Sequence, residues 1–244
     1  MSSLYLDESL DLAGVAAGDR VLLAGDEARH AVSVARVRVG EHVAIGDGRG
    51  RVVRGPVVRA EPRELELEVE DASAEAAPGV RLTLVQALAK GDRDELAVQA
   101  ATELGVDRVI PWAAARSVSR WDGPKAAKGR QRWAAIVREA TKQSIRAWLP
   151  DVDELATTGQ LPARLDGARI LLLEPTATVR LTDLVPDERS VALVVGPEGG
   201  IAPAELDRLA AAGAEPVRLG ASVLRTSTAG PAAIAVLSAR LGRW

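Results

Sequence analysis

Val191-Ala-Leu-Val-Val195 runs without a break into Gly196-Pro-Glu-Gly-Gly200. Nineteen residues after Gly200 comes a second such passage, Leu219-Gly220 followed by Ala-Ser-Val-Leu-Arg-Thr-Ser-Thr-Ala229. A short β-branched run that stops at glycine and proline reads as a buried parallel strand handing a loop to its carboxyl end. Open α/β sheets bind ligands at that end. Two such loops point to one small-molecule pocket walled mostly by backbone. Read singly, the Gly196 pentapeptide serves equally well as an ordinary tight connection.

Working outward, strands and helices alternate. Strands are expected over residues 80–86, 108–110, 170–173, 191–195 and 216–219, and helices over 92–104, 129–148, 204–212 and 228–241. This order predicts an α/β domain with a mainly parallel sheet over residues 80–244. Upstream the pattern differs. Arg20-Val-Leu-Leu23, His42-Val-Ala-Ile-Gly46, Arg51-Val-Val-Arg54 and the strictly alternating Glu64-Leu-Glu-Leu-Glu-Val-Glu70 read as short strands,. One helix is expected over residues 26–36, capped by Asp26. Residues 1–72 therefore predict a small β-barrel domain. Residues 73–79, ending in Pro78-Gly79, read as a linker.

Composition narrows the chemistry. The chain has no cysteine and only two histidines, His30 and His42, so neither thiolate nor histidine metal sites are expected,. No apolar run is long enough to span a bilayer, and Met1-Ser-Ser-Leu-Tyr-Leu-Asp7 has no signal-peptide character,. No membrane association is expected, and the expected compartment is the cytoplasm. The net charge of −3 hides a strong asymmetry. Between Arg116 and Arg146 nine basic residues face two acids, and between Arg36 and Arg63 seven arginines face three acids. A polyanion responds to such local fields, so an RNA partner is open, as is the plainer reading of solvated faces.

Three constellations carry candidate chemistry. The Gly196–Gly200 loop permits close backbone approach to a ligand and exposes the carboxylate of Glu198. It is neither a phosphate loop nor a dinucleotide fingerprint. Leu224-Arg225-Thr226-Ser227-Thr228 places one arginine and three hydroxyls at a helix start, where the hydroxyls suit capping of Ala229 onward and Pro231 suits the first turn. Lys90-Gly-Asp-Arg93, with Asp92 as a cap, precedes Gln99 and Glu103, which are i,i+4 neighbours,.

In this order, the motifs are more specific than any one alone. The chain resembles the RsmE family of ribosomal RNA methyltransferases, members of the SPOUT class. The likeness runs through His30, Arg36 and Gly40, then Lys90-Gly-Asp-Arg93, Gln99, Thr102-Glu-Leu-Gly105 and Arg116-Ser-Val118. It continues through Arg132-Trp133, Glu139-Ala140, Gln143-Ser144, Arg146, Gly196-Pro-Glu-Gly-Gly200 and Leu219-Gly220 with Leu224-Arg225-Thr226. The chain departs from the family pattern at Ala100, where lysine is usual, and at Ser227, where glutamate is usual. It also lacks the arginine that commonly precedes an aromatic ahead of Tyr5.

The resemblance implies a C-terminal trefoil-knotted α/β domain preceded by a PUA-like β-barrel, and a homodimer packed through the knotted domain. It implies transfer of a methyl group from S-adenosylmethionine to N3 of a uridine, position 1498 in standard numbering, in 16S rRNA of the small ribosomal subunit. The cofactor would then contact Leu172, Leu173, Glu174 and Pro175; Gly196, Pro197, Glu198, Gly199, Gly200 and Ile201; and Leu219, Gly220, Ser222, Val223, Leu224 and Arg225. Arg225 is the candidate for stabilising negative charge on the base, and Glu198 the nearest candidate proton acceptor. RNA contacts are expected from Arg36, Lys90, Arg93, Arg116, Arg120, Arg132 and Arg146, with Trp121 and Trp133 in the same basic segment. The rival expectations are a non-catalytic, RNA-binding ribosome assembly factor and a SPOUT methyltransferase acting on another RNA.

Overall fold

The computed structural model describes residues 3–185 and 187–244. The chain divides into two units, one of residues 1–77 and 141–149, the other of residues 78–140 and 150–244.

In the first unit, β1 (Leu4–Leu6), β2 (Arg20–Ala24), β3 (His42–Gly46), β4 (Arg51–Glu61), β5 (Glu64–Glu68) and β6 (Asp71–Ala74) form a sheet of order β1-β3-β4-β5-β2, with β6 also paired to β4. The long β4 is the organising strand. Its first half pairs with β3 and β6, an irregularity follows between Val57 and Arg59, and its second half pairs with β5. A bulge of this kind bends a strand and increases its twist, so the sheet wraps around Tyr5, Leu23, Ile45, Val53, Val57, Leu65 and Leu67. At the bend a methyl group on Gly55 would overlap the Glu68 carbonyl.

Two expectations in this unit need correction. The helix expected over 26–36 is only α1 (Gly25–Arg29) running into one π turn, His30–Val34. It is not capped by Asp26, which instead faces Arg29 at 3.6 Å and Arg63 at 3.5 Å. The expected linker from 73 is partly strand, since Ser73 and Ala74 belong to β6. Residues 141–149, expected in the second domain, pack in this unit instead. Ile145, Ala147 and Leu149 lie against Leu4, Leu6, Ala44 and Val52, and the buried Lys142 ammonium sits 2.9 Å from Glu27.

The second unit is built on β7 (Leu82–Ala87), β8 (Arg108–Ala113), β9 (Asp151–Val152), β10 (Ala156–Thr157), β11 (Arg169–Leu173), β12 (Val191–Val195) and β13 (Glu215–Val217). The order is β10-β8-β7-β12-β11-β13, with β9 beside β8, and every pairing is parallel. The central strands β7 and β12 are buried at every residue, as a sheet covered on both faces requires. Val85, Ile110, Leu172 and Val194 share a core with Leu161, Ile201 and Leu209, which come from α4 (Leu161–Arg164), the loop after β12, and α5 (Pro203–Ala211). α2 (Arg93–Glu103) and α6 (Thr226–Arg240) pack together, and α6 also lies against β12 and β7. Gly230 permits that approach: a Cβ there would stand 2.9 Å from Leu84 Cδ1 and 3.4 Å from Val195 Cγ2.

Several element ends differ from expectation. α3 covers Pro124–Gln143 rather than 129–148. Ile145, in the left-handed region at φ 55°, shows why the helix does not continue. β8 passes through Pro111 to Ala113, which is possible because its outer edge pairs only at Arg108 and Val109 with β9 and at Trp112 and Ala113 with β10,. α6 begins at Thr226 with Arg225 as its cap residue, so the three hydroxyls do not cap Ala229 and Pro231 lies in the helix interior. Asp92 precedes α2 without a side-chain capping bond.

Two features of the topology position the site. β7, β12, β11 and β13 pair in a register that sets Gln86 beside Val195, Val195 beside Leu173, and Leu173 beside Val217. Their following loops therefore emerge together at one edge of the sheet. The chain leaving β13 is also fastened to the connection between β11 and β12, with Arg218 N–H donating to Val179 O at 2.9 Å and Leu181 N–H to Arg218 O at 2.8 Å. It then turns back to place α6 on the sheet centre, where Arg240 reaches Leu184 O at 2.7 Å. A terminal strand and helix laced against the preceding connection in this way match the trefoil-knotted topology expected from the resemblance.

Candidate active site

The three loops after β11, β12 and β13 enclose a cavity of about 440 Å³, within the usual range for small-molecule sites,. From the first loop come Leu173, Glu174 and Pro175; from the second, Gly196, Pro197, Glu198, Gly200 and Ile201; from the third, Leu219, Gly220, Ser222, Val223, Leu224 and Arg225. Sequence reasoning also included Leu172 and Gly199, which do not line it. Leu172 points into the sheet core, because residues alternate faces along a strand. Gly199 lies against Arg116, 3.4 Å from its Cβ if it carried one. Val195, Val217, Arg218, Thr226, Ala229 and Arg93 complete the lining. Strand ends β12 and β13 and the first turn of α6 were the signals for most of these.

The loop geometry explains its glycines. A Cβ on Gly196 would stand 2.6 Å from Ile201 Cγ1, so only glycine lets the loop fold back onto that side chain. Gly200 closes the turn at φ 72°, donating its N–H to Pro197 O at 2.9 Å,. Thr226 pins the loop from below. Its buried hydroxyl donates to Gly196 O and accepts from Gln86 Nε2, both at 2.9 Å. Because the single hydroxyl proton goes to a carbonyl, the Gln86 amide must be the donor in the second bond. One side chain thus links the end of β7, the loop after β12 and the start of α6.

Glu198 is a clamp. Its Oε1 accepts from Lys90 N–H at 3.1 Å and from the Arg93 guanidinium at 3.0 Å. Partial burial pushes its carboxyl up, but the hydrogen bonds from its own backbone, from Lys90 and from Arg93, with the nearby Arg93 charge, outweigh that. The net effect holds it below the ordinary carboxylate value,. On the opposite side Arg116 donates to Gly199 O at 3.1 Å. The Gly196–Gly200 loop is therefore held between two arginines that sequence reasoning had assigned to RNA.

The remaining candidate RNA contacts separate. Arg120 is exposed, as are Lys125 and Lys128 of the same basic segment. Arg132 is held by Glu95, with its NH2 2.6 Å from Oε2, and that hydrogen bond raises its pKa. Arg36 and Arg146 belong to the first unit, Arg36 exposed at φ 60° and Arg146 half-buried. The basic balance of residues 36–63 is largely spent locally, because Arg51, Arg54, Arg59 and Arg63 face Asp47, Asp71, Glu64 and Asp26 respectively. Trp133 is buried, while Trp121 is half-exposed.

The model of an RNA methyltransferase domain matches residues 76–238, and that of an RNA methyltransferase PUA domain matches residues 23–70. The chain is 44% identical to Ribosomal RNA small subunit methyltransferase E of Mycobacterium tuberculosis, over 98% of this chain and 92% of the relative. It is 30% identical to the protein of the same name from Bacillus subtilis, over 88% of each. Among solved structures, the Neisseria gonorrhoeae ribosomal RNA small subunit methyltransferase E bound to S-adenosyl methionine superposes with a TM-score of 0.86 at 28% identity, covering 98% of both chains.

Proposed function

As the chain belongs to the RsmE family of small-subunit ribosomal RNA methyltransferases, we propose that it transfers the methyl group of S-adenosylmethionine to N3 of one uridine in 16S rRNA, the uridine at position 1498 in standard numbering. The observation that carries this reading is the cavity assembled from the loops after β11, β12 and β13. Its walls are largely backbone and apolar side chains, which suit adenosine and a sulfonium, and Arg218 and Arg225 supply positive charge for a carboxylate or a developing anion,.

In the reaction the sulfur–methyl bond breaks as the N3–methyl bond forms, and the N3 proton leaves. The rate depends on aligning nitrogen, carbon and sulfur, which fixed loops favour. Arg225 stands at the cavity wall on the first residue before α6, where its permanent charge stabilises the uracil anion and lowers the cost of giving the proton to solvent. Glu198 acts by position and not as the base: its carboxylate is held below the ordinary range and is engaged by Lys90 and Arg93. Lys90 and Arg120 would meet the RNA backbone.

The reading extends to a homodimer acting in the cytoplasm on the small ribosomal subunit. Exposed Val223 and Leu224 on the cavity loop are apolar surface that a second copy would cover. The test is to offer labelled S-adenosylmethionine to small subunits from a strain deleted for this gene. Label should enter one site as 3-methyluridine. A methylated ribose would move the enzyme to another reaction, and RNA binding without incorporation would make it an assembly factor.

A further inference from the structure

A second cavity, of about 330 Å³, lies in the same unit. It is lined by residues 89–92, 94 and 95, after β7, and by residues 118, 119 and 121, after β8. In the sheet these strands are neighbours, and β7 is next to β12. The two cavities therefore lie along one carboxyl edge and meet where Glu198 accepts from Lys90 and Arg93.

The second cavity has an aromatic wall set in a fixed orientation. Trp121 stands edge-on to the buried Trp133, with ring centres 5.2 Å apart and planes at 77°. Behind it is Gly129 of α3, where any side chain would overlap the indole. The ring is thus seated against bare helix backbone on one side while it lines the cavity. Val118 adds an exposed apolar edge, and Ser119 and the backbone around Lys90 add polar groups. Two consecutive residues, Gly91 and Asp92, are held in the left-handed region at φ 66° and 58°. For Asp92 this is a strained conformation of the kind that persists at ligand sites. Buried Asp94 fixes the wall, accepting from Ala89 N–H at 3.2 Å and from Glu95 N–H at 3.0 Å. Lys90 lines the cavity, as do Asp92, Asp94 and Glu95, with Asp94 engaged by backbone N–H groups and Glu95 by Arg132, and the exposed Arg120 lies between Ser119 and Trp121 in the chain.

A flat aromatic surface and a polar edge, with a lysine at the rim, are chemistry that takes one unstacked base of a single-stranded RNA,. We propose that this second cavity receives the target nucleotide, its pyrimidine stacked on Trp121 and its phosphates facing Lys90 and Arg120, so that the base meets the methyl donor across the Glu198 clamp. This rests on the methyltransferase reading above. Trp121 is then a substrate-binding residue, and Gly129 a positioning residue acting through it.

The experiment compares the wild-type chain with Trp121→Ala, Trp121→Phe and Gly129→Ala, using S-adenosylmethionine and 16S rRNA in small subunits. For Trp121→Ala the KM for RNA should rise about 5- to 150-fold, the range that base–aromatic stacking supplies. The dissociation constant for S-adenosylmethionine should stay within about twofold, a range far below one power of ten in affinity. Trp121→Phe should restore most of the loss, and Gly129→Ala should reproduce part of it. In the wild-type chain, 4-thiouridine placed at the target position should cross-link within residues 118–121. An unchanged KM in Trp121→Ala, or cross-links confined to other segments, overturns the second cavity while leaving the methyltransferase reading intact. A wild-type chain that binds the donor and leaves the RNA unmethylated overturns both.

Discussion

Thr226→Val removes one oxygen from the point where three segments of the active site meet, and replaces it with a methyl group of nearly the same size. Two buried hydrogen bonds at 2.9 Å are lost, to Gly196 O and from Gln86 Nε2. Gln86 keeps its 3.1 Å bond to Ala87 O, but its Oε1 already has no hydrogen-bond partner. At about 1 kcal/mol per bond, with more where a buried group is stranded, the substitution should cost about 2–3 kcal/mol. For a protein of this size that lowers Tm by about 4–12 °C. The loss should also appear in ligand binding, because the freed Gly196 carbonyl belongs to the cavity wall. If about 1.4 kcal/mol of it is expressed there, S-adenosylmethionine binds about tenfold more weakly. Thermal unfolding by circular dichroism and calorimetric titration measure the two effects, and Thr226→Ser should restore both. A Thr226→Val protein with unchanged Tm and donor affinity would refute the claim that this hydroxyl holds the loop.

Other parts of the structure give sharp outcomes as well. Gly55→Ala drives a methyl group into the Glu68 carbonyl at the bend of β4 and should cost about 3 kcal/mol or more, read by urea denaturation. Glu198→Gln should leave the pH profile of methyl transfer unchanged between about pH 7 and 9, because a clamp supplies no proton acceptor; loss of one limb of the profile would restore Glu198 as the base. Glu198 also sets an acid limit. Its folded-state pKa is below the ordinary value of 4.5, so its stabilisation is complete above that value and is lost as pH falls through the folded one. Wild-type stability should therefore fall more steeply below about pH 4.5 than that of Glu198→Gln, as thermal scans across pH would show. Arg225→Lys keeps the charge but loses the fixed fork, and should lower kcat about 10–100-fold with KM for the donor nearly constant, measured by single-turnover methylation.

Much of the second unit was legible because its strands are short β-branched runs punctuated by glycine and proline. Val191–Val195 is the clearest: five buried residues, then a loop that must turn at Gly196 and Gly200. The cavity followed from those ends, since parallel strands in register deliver their loops to one edge. What periodicity could not supply was the third dimension. Residues 141–149 read as the end of a long helix, yet Ile145 breaks it, and the buried Lys142–Glu27 pair belongs to contacts over one hundred residues apart in sequence. Hydroxyls at a helix start suggested capping, whereas Thr226 is spent on Gly196 and Gln86. Charge counting overestimated the basic surface for a similar reason. Arg54, Arg63 and Arg132 have acidic neighbours across strands and helices that no local window contains.

The most direct test of the account is a crystal structure of the chain with S-adenosylhomocysteine, the product of methyl transfer. The account predicts the adenosine between the Gly196–Ile201 and Leu219–Arg225 loops, with the Glu198 contacts to Lys90 and Arg93 intact. Density for the ligand in any other cavity, with the one beside Thr226 empty, would contradict it.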